Sequence, residues 1–162
     1  MNKKILAFFL ALQIMFFLGV CSNTVNVKID NIENSNLNNR MDDVPLTIMV
    51  YQLKDIKKFE EANDTDLLTR DDSVLGKDKI DSIKLQIAPK VNVVAVKVDE
   101  EEVPYIGVLA IFANKMNKNN KIWIETSKAY GIFGDKTLHF KITKEGISFI
   151  DKKEVNRERN GR

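Results

Sequence analysis

One cysteine, one histidine, one tryptophan, three prolines and seven glycines are spread over 162 residues. A single cysteine excludes an internal disulfide, so stability must come from apolar burial and backbone hydrogen bonding. One cysteine and one histidine, with carboxylates scattered on loops, also lack the ligand spacing of a zinc or calcium centre. The lone histidine, His139, has no Ser or Cys partner in a recognisable motif. Its alternation with Leu138 and Phe140 puts it on the solvent side of a strand. Gly131-Ile132-Phe133-Gly134 lacks the Gly-Lys-Ser/Thr ending of a phosphate-binding loop. Asp99 to Glu102 is a carboxylate run of the kind that turns leave solvated. An excess of one charge is missing too: 25 basic residues face 23 acidic ones, far from the basic face that nucleic acid requires. The expectation is no enzyme, no cofactor, no metal, no small-molecule substrate and no nucleic-acid partner.

No apolar run reaches the roughly 20 residues a bilayer-spanning helix demands. The longest runs from Ile5 to Val20, behind Lys3 and Lys4 and ending at Cys21; as helix it would extend only about 24 Å. A positive start followed by such a run reads as a cleaved export signal, residues 1–20. Leu18-Gly19-Val20-Cys21 resembles the bacterial lipobox, with Val20 where Gly, Ala or Ser is usual. That resemblance implies cleavage before Cys21, acylation of its thiol and amine, and a lipid anchor. The alternative is an ordinary secretory signal that leaves Cys21 a free thiol. Each buried methylene contributes about 0.8 kcal/mol and one chain alone binds only marginally, so three chains would hold the protein at a membrane. Ser22 stands where an Asp tends to retain such lipoproteins at the inner membrane. The expected location is therefore the outer membrane, facing the periplasm.

Removal of residues 1–20 takes away Lys3 and Lys4, leaving 142 residues with basic and acidic side chains in balance. That length suits one domain, expected over residues 21–150. Thr24 to Asp30 alternates apolar and polar, the mark of a strand with one wet face. The asparagine-rich segment Asn31 to Asp43 favours turns, and it is long for a strand connection, which points to function or disorder. Leu46 to Leu53 is apolar on both faces, Leu46, Ile48 and Val50 on one and Met49, Tyr51 and Leu53 on the other, so both must be covered. The period then becomes helical. Asp55 is expected to cap a first short helix holding Ile56, Phe59 and Ala62. Asp64 or Thr65 is expected to cap a second that ends at Gly76, the pair covering one end of a sheet. Strands follow at 80–87, 91–98, 105–113, 122–127, 138–142 and 147–150, with Lys144-Glu145-Gly146 as a hairpin turn. Phe112 and Trp123 lie in apolar strands and read as core. Residues 151–162 are mixed charge and expected to be disordered. About eight strands with turn signals between them give an all-β sandwich carrying a small helical insertion near residues 55–76.

The order of these pieces resembles the TssJ (SciN) family, outer-membrane lipoproteins of the type VI secretion system. The matching residues are Val50-Tyr51-Gln52-Leu53 with Lys54, Phe59, Ala62, Leu67, Leu68 and Asp72. Leu75-Gly76, Asp78 and Pro89 follow, then Tyr105-Ile106-Gly107-Val108 with Ala110, Phe112 and Trp123. Lys90 replaces the family's Gly, and Pro104 stands where the family has Arg, so a salt bridge from that Arg is absent. The resemblance spans about residues 24–150. It implies a transthyretin-like sandwich of two four-stranded sheets that binds the periplasmic C-terminal part of the inner-membrane protein TssM. It also implies that the first inter-strand loop makes the contact: Asn34, Ser35, Asn36, Leu37, Asn38, Asn39, Arg40, Met41, Asp42 and Asp43. Within it, Leu37 and Met41 are the apolar anchors, with Arg40, Asp42 and Asp43 as polar rim.

Glu61-Ala62-Asn63-Asp64-Thr65 fits the extended acceptor sequence of bacterial N-glycosylation, with Asn63 as the acceptor. The competing functional reading is a periplasmic lipoprotein that binds or inhibits some other envelope protein, unrelated to secretion.

Overall fold

The computed structural model describes residues 23–131, 135–154 and 157. Cys21, the expected signal at 1–20 and most of the Gly131–Gly134 segment lie outside the described residues. The strands are β1 (Thr24–Asn31), β2 (Leu46–Leu53), β3 (Lys79–Ile87), β4 (Asn92–Asp99), β5 (Tyr105–Ile111), β6 (Lys121–Glu125), β7 (Lys136–Thr143) and β8 (Gly146–Ile150). They form two four-stranded sheets, ordered β4-β1-β7-β8 and β3-β2-β5-β6. Only the β1–β7 pairing is parallel; the other pairings within the sheets are antiparallel. The expected sandwich is therefore present, with strand limits close to those read from periodicity.

The alternation along β1 and β7 buries Val25, Val27, Ile29, Leu138, Phe140 and Ile142 between the sheets. Leu46, Ile48 and Val50 of β2 and Ile106, Val108 and Ala110 of β5 meet them from the other side. The opposite face of β2 and β5 holds Met49, Tyr51, Leu53 and Leu109, and is covered by Phe59, Leu67 and Leu75. A strand apolar on both faces thus has a layer on each side, as its pattern requires.

The covering layer is three short helices rather than two: α1 (Lys57–Glu61), α2 (Asp64–Thr69) and α3 (Asp71–Leu75). They lie over the outer face of the second sheet, not over its end. The chain expected to be one helix up to Gly76 breaks at Arg70, whose φ of −148° and ψ of 34° are not helical. Asn63, not Asp64 or Thr65, caps α2, its side chain accepting from the Asp66 N–H. Asp55 does accept from the Lys57 N–H at 2.8 Å, one residue ahead of the helix boundary. A 3-10 turn, Gly76–Asp78, leads into β3.

Specific contacts fix this layer. The Tyr51 hydroxyl donates to the Leu67 carbonyl at 2.5 Å, and burial pushes its pKa well above the ordinary tyrosine value. Lys121 Nζ donates to the carbonyls of Phe59, Glu60 and Ala62 at 2.7–2.9 Å, satisfying acceptors at the end of α1. Trp123 Nε1 donates to Glu60 Oε1 at 2.7 Å and its ring packs edge-on against Tyr105. Trp123 is therefore half-buried under α1, and Phe112 belongs to the core between the sheets. Gly107 of β5 faces the Phe59 ring so closely that a Cβ there would sit 2.8 Å from Cζ. The residues that carried the family resemblance are, for the most part, the ones that hold the helices on the sheet.

His139 projects from the outer side of β7, as alternation implied, and is mostly shielded there by Asp30 of β1, with Nε2 2.6 Å from Oδ2. Residues 152–154 take helical conformation and the Asp151 carboxylate accepts from the Glu154 N–H, so the segment expected to be disordered begins with a short ordered turn.

Candidate partner-binding loop

Strand directions separate two ends of the sandwich. Asn23 and the 100–104 loop share one end: Asn23 donates to Glu101 Oε1, and the Glu100 N–H donates to the Asn23 carbonyl. The β1–β2 loop, the β3–β4 hairpin, the β5–β6 loop and the β7–β8 turn share the other. Eight residues of β1 at about 3.3 Å each put those ends about 26 Å apart.

The β1–β2 loop is held by its own asparagines. Asn31, Ser35 and Asn36 are buried. Asn31 Nδ2 donates to the carbonyls of Ile87 and Ala88, and its Oδ1 accepts from Ser35 Oγ. Asn36 Nδ2 donates to the carbonyls of Val44 and Pro45, while its Oδ1 accepts the Ala113 N–H at 2.7 Å. Asp43 accepts from the N–H groups of Asn34 and Asn36. Asn38 Oδ1 accepts from the N–H groups of Arg40 and Asp42, and the Leu37–Asp43 bridge closes the hairpin below them. These bonds pair backbone N–H and C=O groups that the turns of the loop leave without strand partners.

The ten residues expected to make contact therefore divide. Ser35, Asn36 and Asp43 build the loop from within, Leu37 and Asn38 are half-buried, and Asn39, Arg40, Met41 and Asp42 form an exposed tip. Asn34, exposed, has a φ of 60°. Met41 is 72% exposed and has a φ of 67°, a left-handed conformation that costs a non-glycine residue of order 1–3 kcal/mol. An exposed apolar side chain held in a strained turn by a satisfied scaffold is what a pre-set contact residue looks like.

Two neighbours across the end were not visible in the sequence. Met116, in the β5–β6 loop, is 77% exposed. Lys118 beside it donates to the Ser35 carbonyl and lies 4.5 Å from the centre of the Phe112 ring. Burial pushes its ammonium below the ordinary lysine value, against the opposing pull of Asp43 and Glu145. Both lie some 80 residues from the loop they meet, so no local pattern announces them.

Asn63 is exposed at the junction of α1 and α2, its Oδ1 taken by the Asp66 N–H. Among the described residues no group of three or more His, Cys, Asp or Glu side chains could hold a metal ion, and no helix is long and apolar enough to cross a membrane.

Several solved structures share this fold. The T6SS lipoprotein TssJ1 from Pseudomonas aeruginosa superposes with a TM-score of 0.68 at 16% identity, covering 80% of this chain and 95% of that one. Serratia marcescens Lip, a membrane-bound component of the type VI secretion system, gives 0.68 at 21% identity over 81% and 98%. A chain of the structure described as the T6SS protein TssM C-terminal domain (869–1107) from EAEC gives 0.62 at 19% identity over 77% and 98%. No curated protein matches the sequence. The family model T6SS-SciN, described as type VI secretion lipoprotein (VasD, EvfM, TssJ), matches residues 23–145. With its helix-clamped sandwich and three-quarters of its length under that match, this chain belongs to the type VI secretion lipoprotein family that includes TssJ.

Proposed function

We propose that the chain is anchored by lipid on Cys21 in the outer membrane and faces the periplasm as one domain over residues 21–150. There the tip of its β1–β2 loop binds the periplasmic C-terminal region of a TssM-type inner-membrane component and ties the secretion complex to the outer membrane. The role is non-catalytic. The observation that carries this reading is the placement of a pre-ordered loop tip, with Met41 exposed, about 26 Å from the end that would adjoin the lipid. A structure of the TssM C-terminal domain and one of a type VI membrane complex each contain a chain of this fold, which supports the choice of partner. Asn23 is already tied to the Glu100–Glu101 loop, so only Ser22 separates the anchor from the folded body. A tether that short keeps the opposite end directed into the periplasm.

Binding to the periplasmic TssM region tests the reading. Replacing Leu37 and Met41 together by Ala should weaken binding at least tenfold while leaving the circular dichroism spectrum unchanged. Unchanged affinity would move the contact to an exposed sheet edge, by strand addition. The anchor is tested separately. Labelled palmitate should enter the wild-type protein and be absent from Cys21→Ser, which should fractionate with the soluble periplasm. A soluble, unlabelled wild-type protein would refute it.

A further inference from the structure

The loop tip does not stand alone. The exposed apolar side chains of Met41 and Met116 come from two different loops and line one shallow depression of about 270 Å³. Leu37, Lys118 and Lys144 line it too, and the rest of the lining is asparagine. No carboxylate lines it. The nearby ones are engaged by groups of their own: Asp42 accepts from Asn38 Nδ2 at 3.1 Å, Asp43 accepts from two loop N–H groups, and Glu145 accepts from Thr143 Oγ1 at 2.6 Å. Lys118 is tied down by the Ser35 carbonyl. Lys144 is the extended cation, its side chain 80% exposed and 3.8 Å from Glu145, a surface pair of little worth.

The lining loops are fixed relative to one another. Asn36 accepts from Ala113 and Lys118 donates to Ser35, joining the β1–β2 loop to the β5–β6 loop. Asn119 exchanges bonds with the β7–β8 turn: it donates to the Glu145 carbonyl and accepts from the Ile147 N–H. Gly146, with a φ of +120°, lets the Asn119 backbone approach so closely that a Cβ would lie 2.1 Å from its carbonyl oxygen. The spacing between Met41, Met116 and Lys144 is thus built by three loops locked together, and an apolar slot beside an exposed lysine, held only by a long surface pair with Glu145, suits an apolar group next to an acid.

We infer that the partner seats an apolar side chain flanked by a carboxylate in this depression, Met41 and Met116 clasping the apolar group and Lys144 pairing with the acid. The inference rests on the proposed role of the β1–β2 loop and adds to it a second loop, a turn and the chemistry of the bound segment. Exposed methionines are suited to the task because their flexible thioethers adapt to the shape of a guest.

The test measures binding of the full-length lipidated protein, in detergent micelles, to the purified periplasmic C-terminal region of the TssM component of its own system. Met41→Ala, Met116→Ala and Lys144→Glu are compared with the parent at low and high salt. All three side chains are exposed, so each variant should melt within about 2 °C of the parent. Met116→Ala is expected to weaken binding about tenfold, comparably to Met41→Ala. Lys144→Glu is expected to weaken it more than tenfold at low salt, with the gap narrowing at high salt as screening grows. If Met41→Ala weakens binding while Met116→Ala or Lys144→Glu binds as the parent does, this inference fails and the loop reading stands. If all three bind as the parent does, the loop reading itself fails.

Discussion

Phe59→Ala is expected to lower the stability of the folded body by about 3–5 kcal/mol, the usual cost of truncating a fully buried aromatic, and to lower the melting temperature by roughly 10–20 °C. Phe59 is wholly buried and touches both the Tyr51 ring, at a centroid distance of 5.4 Å, and the open face of Gly107. Its loss leaves a cavity under the helices that the sheet cannot collapse to fill. Gly107→Ala makes the same point from the other side. The added Cβ would meet three atoms of the Phe59 ring at 2.8–3.0 Å, so the helical layer must shift, at about 1–3 kcal/mol. The two changes should not add: with Phe59 already truncated, the extra methyl enters empty space, and the double variant should be more stable than the sum of the single effects predicts. Chemical denaturation of the four proteins measures this directly. Additive effects would mean that the ring does not rest on Gly107.

Asn36→Ala is expected to weaken partner binding at least tenfold although its buried side chain would not touch the partner. The side chain is buried and makes three hydrogen bonds, two donated within the loop and one accepted from Ala113. Truncation strands the Ala113 N–H and two carbonyls, at about 1–3 kcal/mol, and frees the β1–β2 loop from the β5–β6 loop. The folded body has enough core to survive that loss. The tip, however, must then be ordered at the moment of association, which costs affinity. The expected signature is a melting temperature lowered by several degrees, protection from hydrogen exchange lost in residues 32–45, and binding weakened at least tenfold. Asn39→Ala, on the exposed tip with no such role, serves as the comparison and should leave exchange protection intact.

What the sequence made legible follows from the range of the forces involved. β2 could be read as a strand with two covered faces because that information lies in eight consecutive residues, and the helical period from Ile56 onward showed that helices follow it, but not that they lie over its second face rather than over the end of the sheet. The break at Arg70 was hidden because it depends on how α3 docks, Asp71 being drawn to Lys79 and Ser82 on β3, rather than on any local breaker. The asparagines of the β1–β2 loop read as a wet turn, since asparagine is polar and favours turns. Two of them are buried because their partners lie 56 to 77 residues away in sequence, a distance no pattern spans. The same limit hid Met116 and Lys144. Their relation to Met41 exists only after both sheets have assembled, whereas Leu37 and Met41 stood out within a single polar stretch. The sequence motifs that marked the family report how the helices are held, and the proposed contact surface carries no motif of its own.

Site-specific photocrosslinking in cells assembling the secretion machine addresses the central claim most directly. A benzophenone side chain placed at Met41 should form a covalent adduct with the TssM component, and one placed at Lys84, on the exposed face of the edge strand β3, should not. An adduct from Lys84 with none from Met41 would contradict the account, placing the partner along the sheet edge rather than at the end of the sandwich that carries the β1–β2 loop.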